Sequence, residues 1–526
     1  MKIGMKLWIV AACLAVAGAP SAATVQQAPA PAPARAAAGE EVFYHIFMRS
    51  FRDANGDRQG DLPGLTEKLD HLVSLGVTSI LLTPLQPSPF YHNYFATDFE
   101  AIDSDYGTME DYFAFVRAAH QRGLKVYLDQ EIQYVADGHP WLDEARGNPD
   151  SPHSGYVLWN LPGNVEPEPF LSFPAWPSYD GTHIGIAMVD MRREEVRRYF
   201  ERLFLFWLDP HGDGSLRDGV DGFRIDHMMD DLDHKGRLTN LFAEFWAPIF
   251  SAVRERNPEA RIIAEQADWG YGDDWLTRGD ADLVFAFPLR GALTHLDKGE
   301  ILTALREMEG RTPANKGQIL FLENHDTDRF MTLVEEDPAR ARAGAALSLL
   351  LRGEPLIYYG QEIGMRGRTR EGGFSDGNHI PLREAFRWTR DLEAPGSAIW
   401  YAGDRPWWTE RYNRSGDGVS VEEQASAPDS LFNWYRALLS LRARRPELRA
   451  GGQRVLCQDE TSMLCIVREQ EGARTLILAN LGEAPAQASL PAELGGSWTD
   501  LLGSGDPVEP AALTLAPMEV RVLGTP

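Results

Sequence analysis

Gly219-Val220-Asp221-Gly222-Phe223-Arg224-Ile225-Asp226-His227 is the stretch on which the fold turns. Residues 220–226 read as a short strand. A strand alternates sides, so Phe223 and Ile225 share one face while Arg224 and Asp226 share the other. A buried arginine and aspartate are costly unless their charges meet each other or a ligand. Two readings follow: a structural ion pair at a strand end, or an aspartate that the arginine keeps ionised for use as a nucleophile.

The neighbouring segments set the context. Strand-like apolar runs are expected at 42–48, 79–84, 125–132, 261–266, 283–288, 318–323 and 355–359. Most are separated by stretches with helical periodicity, among them 109–122, 192–208, 238–256 and 339–351. With 220–226 that makes eight strands with mostly helical connections, the pattern of a (β/α)8 TIM barrel. A doubly wound sheet is the alternative, but no glycine-rich dinucleotide loop follows a strand. The barrel is expected over 41–446, closed by a helix at 430–444. The segment at about 134–190, after strand 3, is rich in Pro, Trp, Tyr and Gly, and is too long for an ordinary connection. It reads as a small inserted domain. Beyond residue 447 the pattern changes to short alternating strands, so 447–526 is expected to be an all-β sandwich domain.

Composition narrows the function. A 526-residue chain with 44% hydrophobic residues is globular and can hold several cores. Its net charge of −26 excludes a nucleic-acid partner, because phosphates would be repelled, and suits a neutral substrate or a bound cation. Residues 1–23 carry early lysines, a short apolar run and small residues before a cleavage point, the pattern of a signal peptide. The run is too short for a transmembrane anchor, and no other stretch is long enough. Residues 24–40 form an Ala/Pro-rich linker. A periplasmic or secreted location is therefore expected, with lipid attachment at Cys13 the minor alternative. Cys457 and Cys465 flank a hairpin turn, where either a disulfide or two buried thiols would fit. No feature specifies an oligomeric state.

Catalytic groups in such barrels stand at the C-terminal ends of strands. Those ends carry Asp129, Asp226, Glu265 and Asp326. Carboxylates gathered on one rim, with no metal-ligand spacing and no cofactor motif, point to glycoside hydrolysis. Asp226 beside Arg224 suits the ionised partner. Glu265 ends an apolar strand whose burial would keep its proton in place. Asp326 would hold sugar hydroxyls and, by repulsion, favour a protonated Glu265.

Asp221-Gly-Phe-Arg-Ile-Asp226, Ala264-Glu265 and Phe321-Leu-Glu-Asn-His-Asp326 resemble the conserved regions of the α-amylase family, glycoside hydrolase family thirteen. Tyr91-His-Asn-Tyr94, Gly123-Leu-Lys-Val-Tyr-Leu-Asp129, Val189-Asp190 and Tyr358-Tyr-Gly-Gln-Glu362 follow in the family's order. The resemblance implies Asp226 as nucleophile, Glu265 as acid/base and Asp326 as transition-state stabiliser. It further implies that Arg224 orients Asp226, His325 binds the sugar, Tyr94 stacks on its ring, and Asp129 supports the site from below. His92 is a substrate contact on this view, or else a structural histidine. There are departures. Gln133 and Tyr134 stand where the family's first region has Asn-His, and His227-Met-Met-Asp230 follows the nucleophile. The sugar and calcium contacts of the family's Asn-His pair are thereby in question, with Asp190 the remnant of that calcium site.

Asp53, Asn55, Asp57 and Asp61 place oxygens at alternate positions of a turn, as a calcium ion requires. The stretch also resembles a calcium loop of the family's oligosaccharide-cleaving branches. An Asx-rich turn without an ion is the other reading. Trp159, Trp176 and Tyr179 are candidates for sugar stacking or for ordinary packing. The expected function is a retaining hydrolase acting on α-1,4 bonds of an α-glucan or maltooligosaccharide. An α-glucan transglycosylase or exo-acting α-glucosidase is the alternative within that chemistry, and a glycan-binding protein that has lost catalysis is the alternative outside it.

Overall fold

The computed structural model describes residues 39–372, 375–401, 411–457, 462–488, 490, 494, 497–503, 505–510 and 513–525. The signal peptide and residues 24–38 of the linker lie outside the described residues. Eight strands close into a barrel: β1 Phe43–Ile46, β2 Ser79–Leu82, β3 Lys125–Gln130, β4 Gly222–Met228, β5 Arg261–Gln266, β6 Leu283–Phe285, β7 Gly317–Leu320 and β8 Glu354–Tyr358. Each lies parallel to the next, and β8 returns to β1.

Strand β4 shows why these residues form this barrel. Phe223 and Ile225 are fully buried outside the sheet, where Phe223 meets Phe204 of the helix Glu194–Leu208 at 4.6 Å. Burying each such side chain is worth about 1.5–3 kcal/mol. That helix carries Val196, Phe200, Leu203, Phe204 and Trp207 on one buried face, with Glu194 and Glu195 favourably placed at its N-terminus. Gly222 is required by close approach: a Cβ there would collide with the Arg261 carbonyl and the Tyr127 ring.

Inside the barrel, Phe43, Leu81, Tyr127, Ile263, Leu283, Phe285, Ile319 and Leu356 fill the column. Its lower end is closed by charge. Arg261 bridges Glu354 at 2.6 Å and Glu41 at 3.2 Å, while Lys125 reaches Glu41 at 2.8 Å.

Two segments depart from expectation. The helix expected over 238–256 begins as a π-turn at Phe242–Trp246 and becomes α-helical only over Ala247–Arg256. Pro248 explains this, since it supplies no N–H and crowds the preceding turn. The strand expected over 283–288 ends at Phe285, and the chain turns at once into the helix Phe287–His295 with a proline in its first turn.

After β3 the insert pairs Tyr134–Ala136 with Ile186–Met188 and Trp176–Pro177 with His183–Ile184, both antiparallel. The closing helix Leu431–Arg444 precedes a six-stranded antiparallel sheet and a two-stranded one. The six-stranded sheet is amphipathic at period two. Leu464, Ile466, Ile477 and Ala479 join the main core, whereas Met463, Cys465, Leu476 and Leu478 form a separate core with Trp498 and Leu515. Cys457 and Cys465 are joined by a disulfide in that second core. Among the described residues no helix is long and apolar enough to cross a membrane.

Candidate active site

The C-terminal ends of β3, β4 and β5 bring their polar residues to one point. Arg224, buried under the mouth, is its hub. Its Nη1 lies 2.7 Å from Asp129 Oδ2 and 2.6 Å from Asp226 Oδ1, and its Nη2 lies 2.9 Å from Glu265 Oε2. Its guanidinium also rests 5.9 Å from the centre of the Phe285 ring. Three carboxylates sharing one guanidinium leave its charge fully engaged, and their pull holds its proton firmly against the opposing effect of burial.

The two carboxylates are driven apart in acidity. Burial alone would raise Asp226, but His227 and Arg224 overcome it and hold this carboxyl well below the usual range. Burial raises Glu265; Arg224 opposes the shift and the Asp226 charge adds to it, so its carboxyl titrates above the usual range. Ligand atoms of Asp226, His227 and Glu265 all lie within 4.8 Å of one another. Carboxyl groups about 5–5.5 Å apart are the spacing of glycosidases that retain configuration, because no room is left for a water between acid and base.

The third carboxylate sits opposite. His325 Nε2 is 2.9 Å from Asp326 Oδ2, and Arg383 Nη2 is 2.9 Å from Asp326 Oδ1. Against burial, these groups hold Asp326 well below the usual carboxylate range. Tyr94 joins the two halves: its hydroxyl donates to Asp129 Oδ2 at 2.6 Å and lies 2.9 Å from His325 Nε2. The Tyr94 and His325 rings stack at 5.5 Å. His92 is close by, with Nδ1 accepting from the Tyr94 amide at 3.2 Å and Nε2 3.7 Å from Asp376. Burial and Arg383 push the His92 imidazole well below its ordinary value, so it is neutral at pH 7.

All eight expected catalytic and sugar-contact residues therefore meet at one site. The four expected calcium ligands do not join it. Asp53 accepts from the amides of Gly56 at 2.6 Å and Arg58 at 2.9 Å. Asp61 accepts from Gly64 at 2.6 Å and caps the helix Leu62–Glu67. Asn55 donates to Asp57 at 3.0 Å. The oxygens suit a hard cation chemically, but they are turned onto the loop's own amides. The one group of three converging ligand residues among the described residues is Asp226, His227 and Glu265. Asp190 is likewise engaged, by Arg192 at 2.7 Å and Arg193 at 3.3 Å. Trp159 and Trp176 are half-buried, Trp159 donating to the Ser154 carbonyl and Trp176 lying against Phe170.

Three further residues enter the site. Gln133, at the position of the departure noted above, donates to the carbonyls of Asp226 and His227. It pins a bulge in β4 where His227 adopts φ +41°. His227 turns its Nδ1 to within 3.1 Å of Asp226 Oδ2, and its amide donates to Glu265 at 3.3 Å. Arg383 had no signal in the sequence, since it ends an irregular 3-10 stretch, Asp376–Arg383, without periodicity.

A closed parallel barrel whose mouth gathers Asp226, Glu265 and Asp326 is the architecture of a glycoside hydrolase. The profile described as "Alpha amylase, catalytic domain" matches residues 45–451, and a second, "Domain of unknown function (DUF3459)", matches 450–522. The chain belongs to the α-amylase family. It is 30% identical over 453 residues to "Alpha-amylase 3" of Dictyoglomus thermophilum, covering 84% of each chain. It is 27% identical over 540 residues to "Probable oligo-1,6-glucosidase 2" of Bacillus subtilis, covering 88% of this chain and 94% of that one. The trehalose synthase/amylase of Mycobacterium tuberculosis strain H37Rv is 28% identical over 537 residues, covering 87% and 84%. Among solved structures, the α-amylase from H. orenii superposes with TM-score 0.75 at 27% identity, covering 93% of this chain and all of that one.

Proposed function

We propose that the protein is an exported retaining hydrolase cleaving α-1,4 bonds of starch or maltooligosaccharides. Asp226 attacks the anomeric carbon while Glu265 passes its proton to the leaving oxygen. Glu265 then takes a proton from the water that releases the glycosyl group from Asp226. Asp326, held by Arg383 and His325, takes the sugar's hydroxyls. The observation that carries this reading is the Arg224 fork, which engages both members of the pair and so sets their separation.

The preference for α-1,4 bonds draws on the likeness to Alpha-amylase 3, and the glucosidase and trehalose synthase relatives keep the transglycosylase and exo-acting readings open. Export draws on residues 1–23 and on the Cys457–Cys465 disulfide, a bond that persists in oxidising compartments. A structural calcium on Asp53, Asn55, Asp57 and Asp61 belongs to the same proposal, supported by the oxygen-only donor set. Following products from maltoheptaose, starch and pullulan over time tests the function. A ladder of shorter maltooligosaccharides is expected. Glucose alone from the chain ends would replace the reading with an exo-glucosidase, and trehalose from maltose would replace it with an isomerising transglycosylase.

A further inference from the structure

His227 follows Asp226 directly in the chain, and none of the steps above uses its side chain. Its place is nevertheless closely built. The pairing of β4 with β5 slips between Ile225 and Met228, and within that bulge His227 sits at φ +41°. This is a left-handed conformation that a non-glycine residue keeps only when its surroundings hold it there. Before the bulge, the Gln133 side-chain amide donates to the carbonyls of Asp226 and His227. Beyond it, Met228 resumes pairing with Gln266 of β5, and the Trp275 indole donates to the Met228 carbonyl. Phe170 of the insert lies 6.3 Å from the imidazole.

A bulge of this kind re-aims a side chain. Strict alternation would turn residue 227 to the outside of the sheet with Phe223 and Ile225. Instead its Nδ1 comes within 3.1 Å of Asp226 Oδ2, and its amide donates to Glu265 Oε2 at 3.3 Å. In the resting site Nδ1 is buried and makes no aligned hydrogen bond, although the carboxylate is beside it. Catalytic contacts often tighten only when substrate is engaged. Arg224, by contrast, is shared among Asp129, Asp226 and Glu265.

We propose that His227 is a catalytic residue of the second half of the reaction, donating from Nδ1 to Asp226 as the glycosyl ester breaks down. The direction follows from charge. In the first half Asp226 gives an electron pair to the anomeric carbon and loses its negative charge, so a donor beside it opposes the step. In the second half water adds to the anomeric carbon and Glu265 takes the water's proton. The bond from the anomeric carbon to Asp226 breaks, and its electron pair returns to the carboxylate. A donor next to that carboxylate stabilises the returning charge. Nδ1 carries a proton in the imidazolium and in one of the two neutral tautomers, so the role does not require a charged ring. This inference rests on the retaining reading above.

α-Maltosyl fluoride provides the test, because fluoride leaves without a proton and reports the first half apart from full turnover. Two variants suit the left-handed backbone: His227→Gly removes the ring, and His227→Asn keeps a donor near the place of Nδ1. In rapid-quench runs the steady-state rate of His227→Gly should fall about tenfold more than the rate of its first turnover. Its fluoride burst should approach one per enzyme molecule, and mass spectrometry of the quenched protein should find more maltosyl-Asp226 than in the wild type. His227→Asn should recover most of the steady-state loss. Should His227→Gly not fold, His227→Ala provides the same contrast with His227→Asn. Equal losses in both phases would overturn the proposal and leave His227 as a brace for the bulge. No loss in either would show that the ring does not meet the ester. β-Maltose as the first product of the wild type would instead bring down the retaining reading, and this inference with it.

Discussion

His227 Nδ1 lies 3.1 Å from Asp226 Oδ2, so the carboxylate proposed as nucleophile has an imidazole beside one oxygen and Arg224 on the other. Burial would weaken the histidine's grip on its proton; Asp226 outweighs it and raises the imidazole to about 10. The ring is partly exposed and in contact with the carboxylate. Asp226 thus stays ionised throughout the range in which the enzyme would work.

Asp226→Asn removes the attacking oxygen's charge and should lower kcat by at least 10⁴-fold, an order of magnitude expected for loss of a covalent nucleophile. Binding of a maltooligosaccharide, followed by calorimetry, should survive. In the wild type the first product seen by NMR should be the α-anomer. A β-anomer would show inversion and exclude the covalent route.

Glu265 has to be protonated to act, and its carboxyl is raised above the usual range. The sign follows: the active form exists below this pKa and is lost as pH rises through it, so kcat/KM should decline on the alkaline side. Glu265→Gln should remove that limb. Its loss should be large on maltooligosaccharides and small on glycosyl fluorides, whose leaving group needs no proton. Equal loss on the two would contradict the acid's assignment.

The convergence of Arg224, Asp226 and Glu265 was legible because strand alternation is a strong constraint. Once 220–226 was a strand, Arg224 and Asp226 had to share a face, and the apolar run before Glu265 had to bury that carboxyl. The same rule misjudged 283–288, where Phe287 and Pro288 continue an apolar run but begin a helix. An apolar stretch that short does not distinguish strand from buried helix start. Arg383 was invisible for a different reason. Its partners Tyr91 and Asp326 lie 292 and 57 residues away in the chain, and its own segment has no period to read.

Arg383 donates to Asp326 at 2.9 Å, to the Tyr91 hydroxyl at 2.7 Å and to the His325 carbonyl at 2.9 Å. Arg383→Met should reduce kcat/KM by about 10- to 100-fold, the scale of charge-assisted hydrogen bonds. Asp326 would also lose one of the groups that depress it, so its carboxyl should protonate at higher pH. The acid limb of the kcat/KM profile should therefore move upward, and Arg383→Lys should return part of the shift. An unmoved acid limb would mean that Arg383 serves only to pack the loop.

The loop after β1 offers the last test. Asp53, Asn55, Asp57 and Asp61 have the oxygen chemistry of a calcium site, and their acceptors are turned onto loop amides. Asp57 and Asn55 are the exposed members, and Asp57 accepts from the Asn55 side-chain amide on one oxygen and from the Gln59 backbone amide on the other, bonds that must open before it can turn inward. If that pair opens inward around an ion, calcium at about 100 times its dissociation constant adds roughly 2.7 kcal/mol of stability. In a chain of 526 residues this is only a few degrees of Tm. Chelation should lower Tm by that amount in the wild type and leave Asp57→Ala unchanged, while kcat/KM on maltoheptaose follows the thermal effect and not the chemistry. An equal chelator effect in both proteins would place the ion elsewhere. Asp190 is a poor second choice, because both of its oxygens already face arginines. No effect in either would mean that the loop is closed by its own amides, as Asp61 capping Gly64 and Asp53 capping Gly56 allow.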